Sequence, residues 1–221
     1  MKTIKTILIT LLFAGFSTFS HADGKMGLTI TGLDASGDAA EMSRGVEQTR
    51  SEDVQGVFAS FFIEKDLGPM SVGLDIAPYD IASGSVTNVR SAGGSFSSQT
   101  NTAEVEINDN FGLYGKMDLS DTGAYIKAMV THHNADVTST TINNIQEKGT
   151  SSVNSTYPDQ DFLGGHVSLG FERDLNDMFI RGEVGVSEYE KVESKSSSGN
   201  TTVTAQIENG THARISIGRA F

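Results

Sequence analysis

Residues 102–119 read TAEVEINDNFGLYGKMDL, and the stretch alternates. Its odd positions are Ala103, Val105, Ile107, Asp109, Phe111, Leu113, Gly115, Met117 and Leu119. Its even positions are Thr102, Glu104, Glu106, Asn108, Asn110, Gly112, Tyr114, Lys116 and Asp118. A period of two sends these rows to opposite faces of an extended strand, one apolar and one polar. A helix would bring Glu104, Val105 and Asn108 to one side and mix the two classes.

The pattern recurs on both sides of this stretch. Toward the C-terminus, Val203, Ala205, Ile207, Ala213, Ile215, Ile217 and Phe221 are read as one face, with Thr202, Thr204, Gln206, Glu208, His212, Arg214 and Ser216 as the other. Shorter apolar rows run through 25–33, 54–64, 70–79, 123–133, 162–173 and 178–189. In 54–64 the row is Val57, Ala59, Phe61, Ile63, with Phe58 and Phe62 blurring the phase. These are eight strands, most at or above the 9–11 residues that a tilted strand needs to cross a bilayer.

The connections alternate in length. Long segments at 34–53, 80–101, 134–161 and 190–201 alternate with short ones at 65–69, 119–122 and 174–177. The short ones carry turn chemistry, as in Asp66-Leu67-Gly68-Pro69,. An antiparallel meander with this alternation gathers the long loops at one end, and eight strands return both termini to the other. The expected fold is all-β, an eight-stranded up-and-down transmembrane barrel.

A soluble ligand barrel alternates too, with its apolar row inside. The composition of the polar row separates the two. It is rich in small residues (Gly27, Thr29, Gly73, Gly112, Gly164, Ser168, Gly170, Gly185, Ser216, Gly218), which suits the crowded lumen of eight strands,. The same row carries both charge signs: Glu64, Asp75, Lys116, Lys127, Glu172, Arg181, Glu183 and Arg214, with Glu104, Glu106 and Asp118 beside them. Buried in a lumen, such charges have to pair. The apolar row, nearly free of charge, is then expected to face lipid.

The N-terminus fits export. Lys2 and Lys5 precede the apolar run Ile7–Phe16, and Ser20-His21-Ala22 is a small-residue cleavage site, so 1–22 reads as a signal peptide and 23–221 as one barrel domain,. Without Lys2 and Lys5, 14 basic residues face 28 acidic ones, which argues against a nucleic-acid partner,. Cys is absent, which excludes a disulfide framework, a thiolate metal site and a lipoprotein anchor,. No apolar run reaches the roughly 18–20 residues of a helical span.

The chain closes on Phe221, in phase with Ile215 and Ile217. With this ending, the sequence resembles the small eight-stranded outer-membrane barrels of Gram-negative bacteria, such as the transmembrane domain of outer membrane protein A and outer membrane proteins X and W. The resemblance implies outer-membrane lipid and lipopolysaccharide as surroundings. It also implies insertion by the barrel assembly machinery, which reads the final strand through Ile215, Ile217 and Phe221. Trp is absent and Tyr numbers five, so the aromatic girdles are thin,.

No catalytic, cofactor-binding or metal site is expected. His166-Val167-Ser168 sets a His and a Ser on one face, the lumen face, away from lipid substrate. His132 and His133 point to opposite faces and cannot chelate together. Tyr157-Pro158-Asp159-Gln160-Asp161 lacks the Gly and distal Glu of a calcium loop,. Loop acids (Asp34, Asp38, Glu41, Glu47, Glu52, Asp53, Asp136, Glu147) read as solvated. The expected role is a monomeric, non-enzymatic barrel, structural or acting through its long extracellular loops. The alternatives are a narrow porin-like channel for ions or very small solutes gated by Lys127, Arg181, Glu183 and Arg214, and, third, an outer-membrane hydrolase.

Overall fold

The computed structural model describes residues 24–43, 46–90, 99–142, 157–195 and 201–221. Residues 1–22, read from the sequence as a signal peptide, Glu147 and the side chains of Glu41, Glu47, Glu52, Glu104 and Asp109 lie outside what is described. The chain forms β1 (Gly24–Ser43), β2 (Val46–Asp66), β3 (Met70–Ala77), β4 (Ile81–Arg90), β5 (Gln99–Asp118), β6 (Ala124–Ile142), β7 (Gln160–Leu175), β8 (Met178–Tyr189), β9 (Val192–Lys195) and β10 (Thr201–Ala220).

These ten segments make eight staves. β3 and β4 both pair with β5, and β8 and β9 both pair with β10. All ladders are antiparallel, and β1 closes on β10 from Lys25–Ala220 up to Ser43–Thr201. At the lower rim Gly24 and Phe221 exchange backbone hydrogen bonds of 3.2 and 2.9 Å. Closure leaves no free edge there, the condition for a sheet in lipid.

The turns at this end are tight. Asn176, at φ 60, opens the two-residue connection between Leu175 and Met178,. Gly123, at φ 94, sits where a Cβ would lie 2.2 Å from the Glu172 carbonyl oxygen. At the other end the strands run far beyond their expected limits. Much of 34–53, 80–101 and 134–161, read from sequence as loop, is ladder. These segments carry no long apolar alternation in the sequence, but their backbones still pair.

The apolar rows face outward. Leu169, Val184 and Ile215 are 59%, 64% and 63% exposed, while inward Phe179 is 1% exposed. The outward row spans nine residues on β7 (Leu163–Phe171) and nine on β8 (Met178–Val186), the length of a tilted crossing,. So large an exposed apolar belt is stable only against lipid.

Two bulges correct the single-face reading of the longest strands. Between Asn108 and Phe111, β5 spends one residue more than β6; between Glu208 and Thr211, β10 spends one more than β1, with Asn209 at φ 52. One extra residue exchanges the two faces. Below the bulges Phe111, Leu113, Ala213 and Ile215 point out. Above them Ile107 pairs with buried Ala135, and Val203 with buried Ser194, so Ile107, Val203, Ala205 and Ile207 turn to the inner row, while the side chains of Ala103 and Val105 lie outside what is described. By the same shift Glu106, expected in the lumen, is exposed.

Candidate functional site: the lumen

The lower lumen is closed by an ion-pair layer. The Arg181 guanidinium donates to both Glu64 oxygens at 2.7 Å, and its Nε donates to Glu172. Lys25 donates to Glu172 at 2.8 Å, and Lys116 lies 3.7 Å from both Glu64 and Glu172. Two residues higher comes a second layer. Lys127 donates to both Glu183 oxygens at 3.1 and 3.2 Å, Tyr125 and Ser168 donate to the same carboxylate, and Arg214 pairs with Asp75. All eight residues of the expected charge network therefore lie in these two layers. Lys25 belongs with them and was missed in the sequence because it precedes the first clear apolar row. Asp118 stands at the rim, 46% exposed, 3.2 Å from Lys116.

Aromatic rings separate the charges. Arg181 lies between Phe62 and Phe179, 5.2 and 4.7 Å from their centroids, and Lys127 sits 4.3 Å from the Tyr114 centroid. Each ring has a glycine directly across the ladder: Phe62 opposite Gly27, Tyr114 opposite Gly73, Tyr125 opposite Gly170 and Phe179 opposite Gly218. A Cβ at Gly73 would lie 2.3 Å from Tyr114 Cζ. The inward glycines are the seats of these rings. The ring-opposite-glycine pairing carried the signal, but it can be read only once the register is known.

Above the second layer lies a cavity of about 50 Å³, room for a few waters,. Its wall carries His133, His166 and His212 in one hydrogen-bond chain. His133 Nδ1 meets Asn110 Oδ1 at 2.6 Å, and Thr131 Oγ1 stands 2.8 Å from His133 Nε2 and 2.9 Å from His166 Nε2. Ser187 Oγ stands 2.9 Å from His166 Nδ1 and 2.8 Å from His212 Nδ1. His166 and Ser168 thus have separate partners and form no dyad. His132 points outward and stacks on Phe111. In the Tyr157–Asp161 segment Gln160 caps the Pro158 and Asp159 carbonyls, and Asp161 accepts from Asn134. Among the described residues no three His, Asp or Glu side chains converge as metal ligands.

Among the described residues, one seam in the wall lacks a ladder. β2 pairs with β3 only from Asp66–Ser71 to Phe61–Ile76, and no described ladder joins Val46–Ser60 to β4. Continuing the register would set Ala59 opposite Pro78. Proline has no N–H for the Ala59 carbonyl, so the ladder stops. The Tyr79 hydroxyl takes over there, donating to Ala59 O at 2.6 Å and accepting from Ala59 N. Ala59 pairs with Ile30, so the foot of the seam is level with the top of the apolar belt. Phe58, Ala77 and Asn110 beside it also line the cavity.

No protein-family model and no curated protein matches this chain. Solved structures do. The outer membrane protein OprG from Pseudomonas aeruginosa superposes with a TM-score of 0.50 at 14% identity, over 90% of this chain and 96% of its own. The outer membrane protease OmpT from Escherichia coli gives a TM-score of 0.50 at 8% identity, over 92% of this chain and 98% of its own. The fold is that of the outer-membrane β-barrels. At these identities the likeness concerns the fold alone; the chemistry of this barrel has to be read from its own lumen.

Proposed function

We propose that this protein is a monomeric barrel of the bacterial outer membrane that passes small, largely apolar solutes sideways, from the upper lumen into the outer leaflet. Delivery by the 1–22 signal and insertion through Ile215, Ile217 and Phe221 belong to the same reading. One observation carries it: among the described residues the wall lacks a ladder between β2 and β4, beside a cavity and level with the top of the apolar belt. The two ion-pair layers support a closed axis, because an ion would have to displace salt bridges buried with their hydrogen bonds,. A non-enzymatic role is favoured by the engagement of His166 with Thr131 and Ser187, and of Ser168 with Glu183. A purely structural or loop-mediated surface role is the competing reading.

The chain has no Trp, so a single introduced Trp reports alone. Phe58→Trp, on the cavity wall at the seam, should be quenched by lipids brominated on the acyl chain. Met129→Trp, on the same cavity between sealed ladders, should be quenched far less. Equal weak quenching at both would remove the lateral route. Planar-bilayer recordings should show no steady ion channel; channels altered by charge swaps at Lys127 or Glu183 would restore the axial pore.

A further inference from the structure

The histidine chain does not end at Asn110. The Asn110 amide nitrogen donates to Ile107 O at 3.1 Å and to Tyr79 O at 3.4 Å, so its oxygen is the atom that faces His133. Tyr79 in turn holds Ala59 of β2. From His212 on β10, through Ser187, His166, Thr131, His133 and Asn110, to Tyr79 and Ala59, a belt of side chains circles the lumen and closes on the foot of the seam.

The belt has a single direction when its imidazoles are neutral. The Asn110 oxygen only accepts, so His133 must carry its proton on Nδ1, and its bare Nε2 takes the Thr131 hydroxyl proton. Thr131 then accepts from His166 Nε2–H, His166 Nδ1 takes the Ser187 proton, and Ser187 accepts from His212 Nδ1–H. The lone pairs of His133 and His166 are both used, while that of His212, on Nε2, lies outside the chain. A proton added to His133 or His166 sets donor against donor, at Thr131 or at Ser187; the hydroxyl must then turn away, that of Thr131 toward the Gly164 carbonyl 3.4 Å off. The charged groups facing the belt are Arg214, Lys127, Glu183 and Asp75, with the Tyr189 phenol and outward His132 beside it. β1, β2 and β5 face it with Thr31, Leu33, Phe58 and Asn110, none of them ionisable.

We propose that Tyr79 is a latch closing the foot of the β2–β4 seam, and that the neutral histidine belt, through Asn110, is what holds the latch in position. The proposal takes its purpose from the lateral-passage reading, but its test reads the seam itself and not solute movement. Hydrogen exchange is followed on the full chain in lipid nanodiscs. Tyr79→Phe removes only the hydroxyl and should speed exchange at 57–60 by about fivefold or more. Residues 61–66 of the same strand, laddered to β3, should keep their protection. In the unsubstituted protein, lowering the pH from about 7 to about 3 should speed exchange at 57–60 after correction for the intrinsic rate, as the buried histidines charge,. In Tyr79→Phe the pH change should add nothing. His133→Gln should flatten the pH response while strand β7 stays protected. Unchanged exchange in Tyr79→Phe would overturn the latch. A pH response identical in His133→Gln and the unsubstituted chain would overturn the role of the belt. Opening at the seam without Phe58→Trp quenching would keep the latch and remove the solute route.

Discussion

Two strands of this barrel, β5 and β10, use opposite faces in its lower and upper halves. Below the bulges at 109–110 and 209–210, apolar side chains look out and charges look in. Above them Ile107, Ile207 and Val203 join the inner row, while Glu106 and Glu208 are exposed. The hydrogen-bonded ladder hardly registers the change. What differs is the solvent: lipid rewards an apolar exterior below, and water rewards a polar one above. One extra residue in each of β5 and β10 suffices for their exchange, since side chains alternate every residue,.

The largest effects are expected in the lower lumen. Arg181→Met leaves Glu64 and Glu172 facing each other with only Lys25 and Lys116 as counter-charges. It should destabilise the barrel by about 3–5 kcal/mol, measured by denaturant unfolding from lipid vesicles. Adding Glu64→Leu should recover much of that loss, because the pair is then removed together. If the single variant unfolds like the parent, the layer does not hold the lower half.

Next come the outer faces. Leu169→Arg, in the apolar belt, should cost about 2–4 kcal/mol in the same assay. Glu193→Arg, exposed in the upper half, should stay within about 0.5 kcal/mol. Equal costs would erase the contrast between the halves. Smaller still is the effect of seating a ring. Gly73→Ala pushes a methyl into Tyr114 and should cost about 1–3 kcal/mol, whereas Gly115→Ala, facing outward with nothing near it, should be close to neutral,.

The barrel itself was legible because lipid enforces strict alternation. Rows such as Leu163, Val167, Leu169, Phe171 leave little other reading, and the charges that break alternation least are those the lumen pairs. The upper half was harder to read. Asn108-Asp109-Asn110 and Glu208-Asn209-Gly210 are the marks of bulges, polar and turn-forming inside strands, yet their effect is a phase shift visible only through pairing. Loops were overestimated because Ser- and Thr-rich segments above the membrane pair through backbone alone. Phe62 blurred the phase of its strand in the sequence, and its place in the lumen, like that of Phe179, follows from the glycine opposite it. The histidine belt escaped notice because its members come from β6, β7 and β10, and only the ladder register sets them side by side. Pro78 was the one sequence mark of the seam, and its meaning depends on Ala59 standing opposite.

The inversion between halves is best tested by spin labels, since the chain has no cysteine to compete. Single labels at Ile215→Cys and Ile207→Cys lie on one strand, on the same face by simple counting. Power saturation should find Ile215→Cys accessible to lipid-dissolved oxygen and shielded from an aqueous nickel complex, and Ile207→Cys without lipid exposure. Equal, lipid-like oxygen access at both positions would mean that the bulge does not exchange the faces, and would contradict the account.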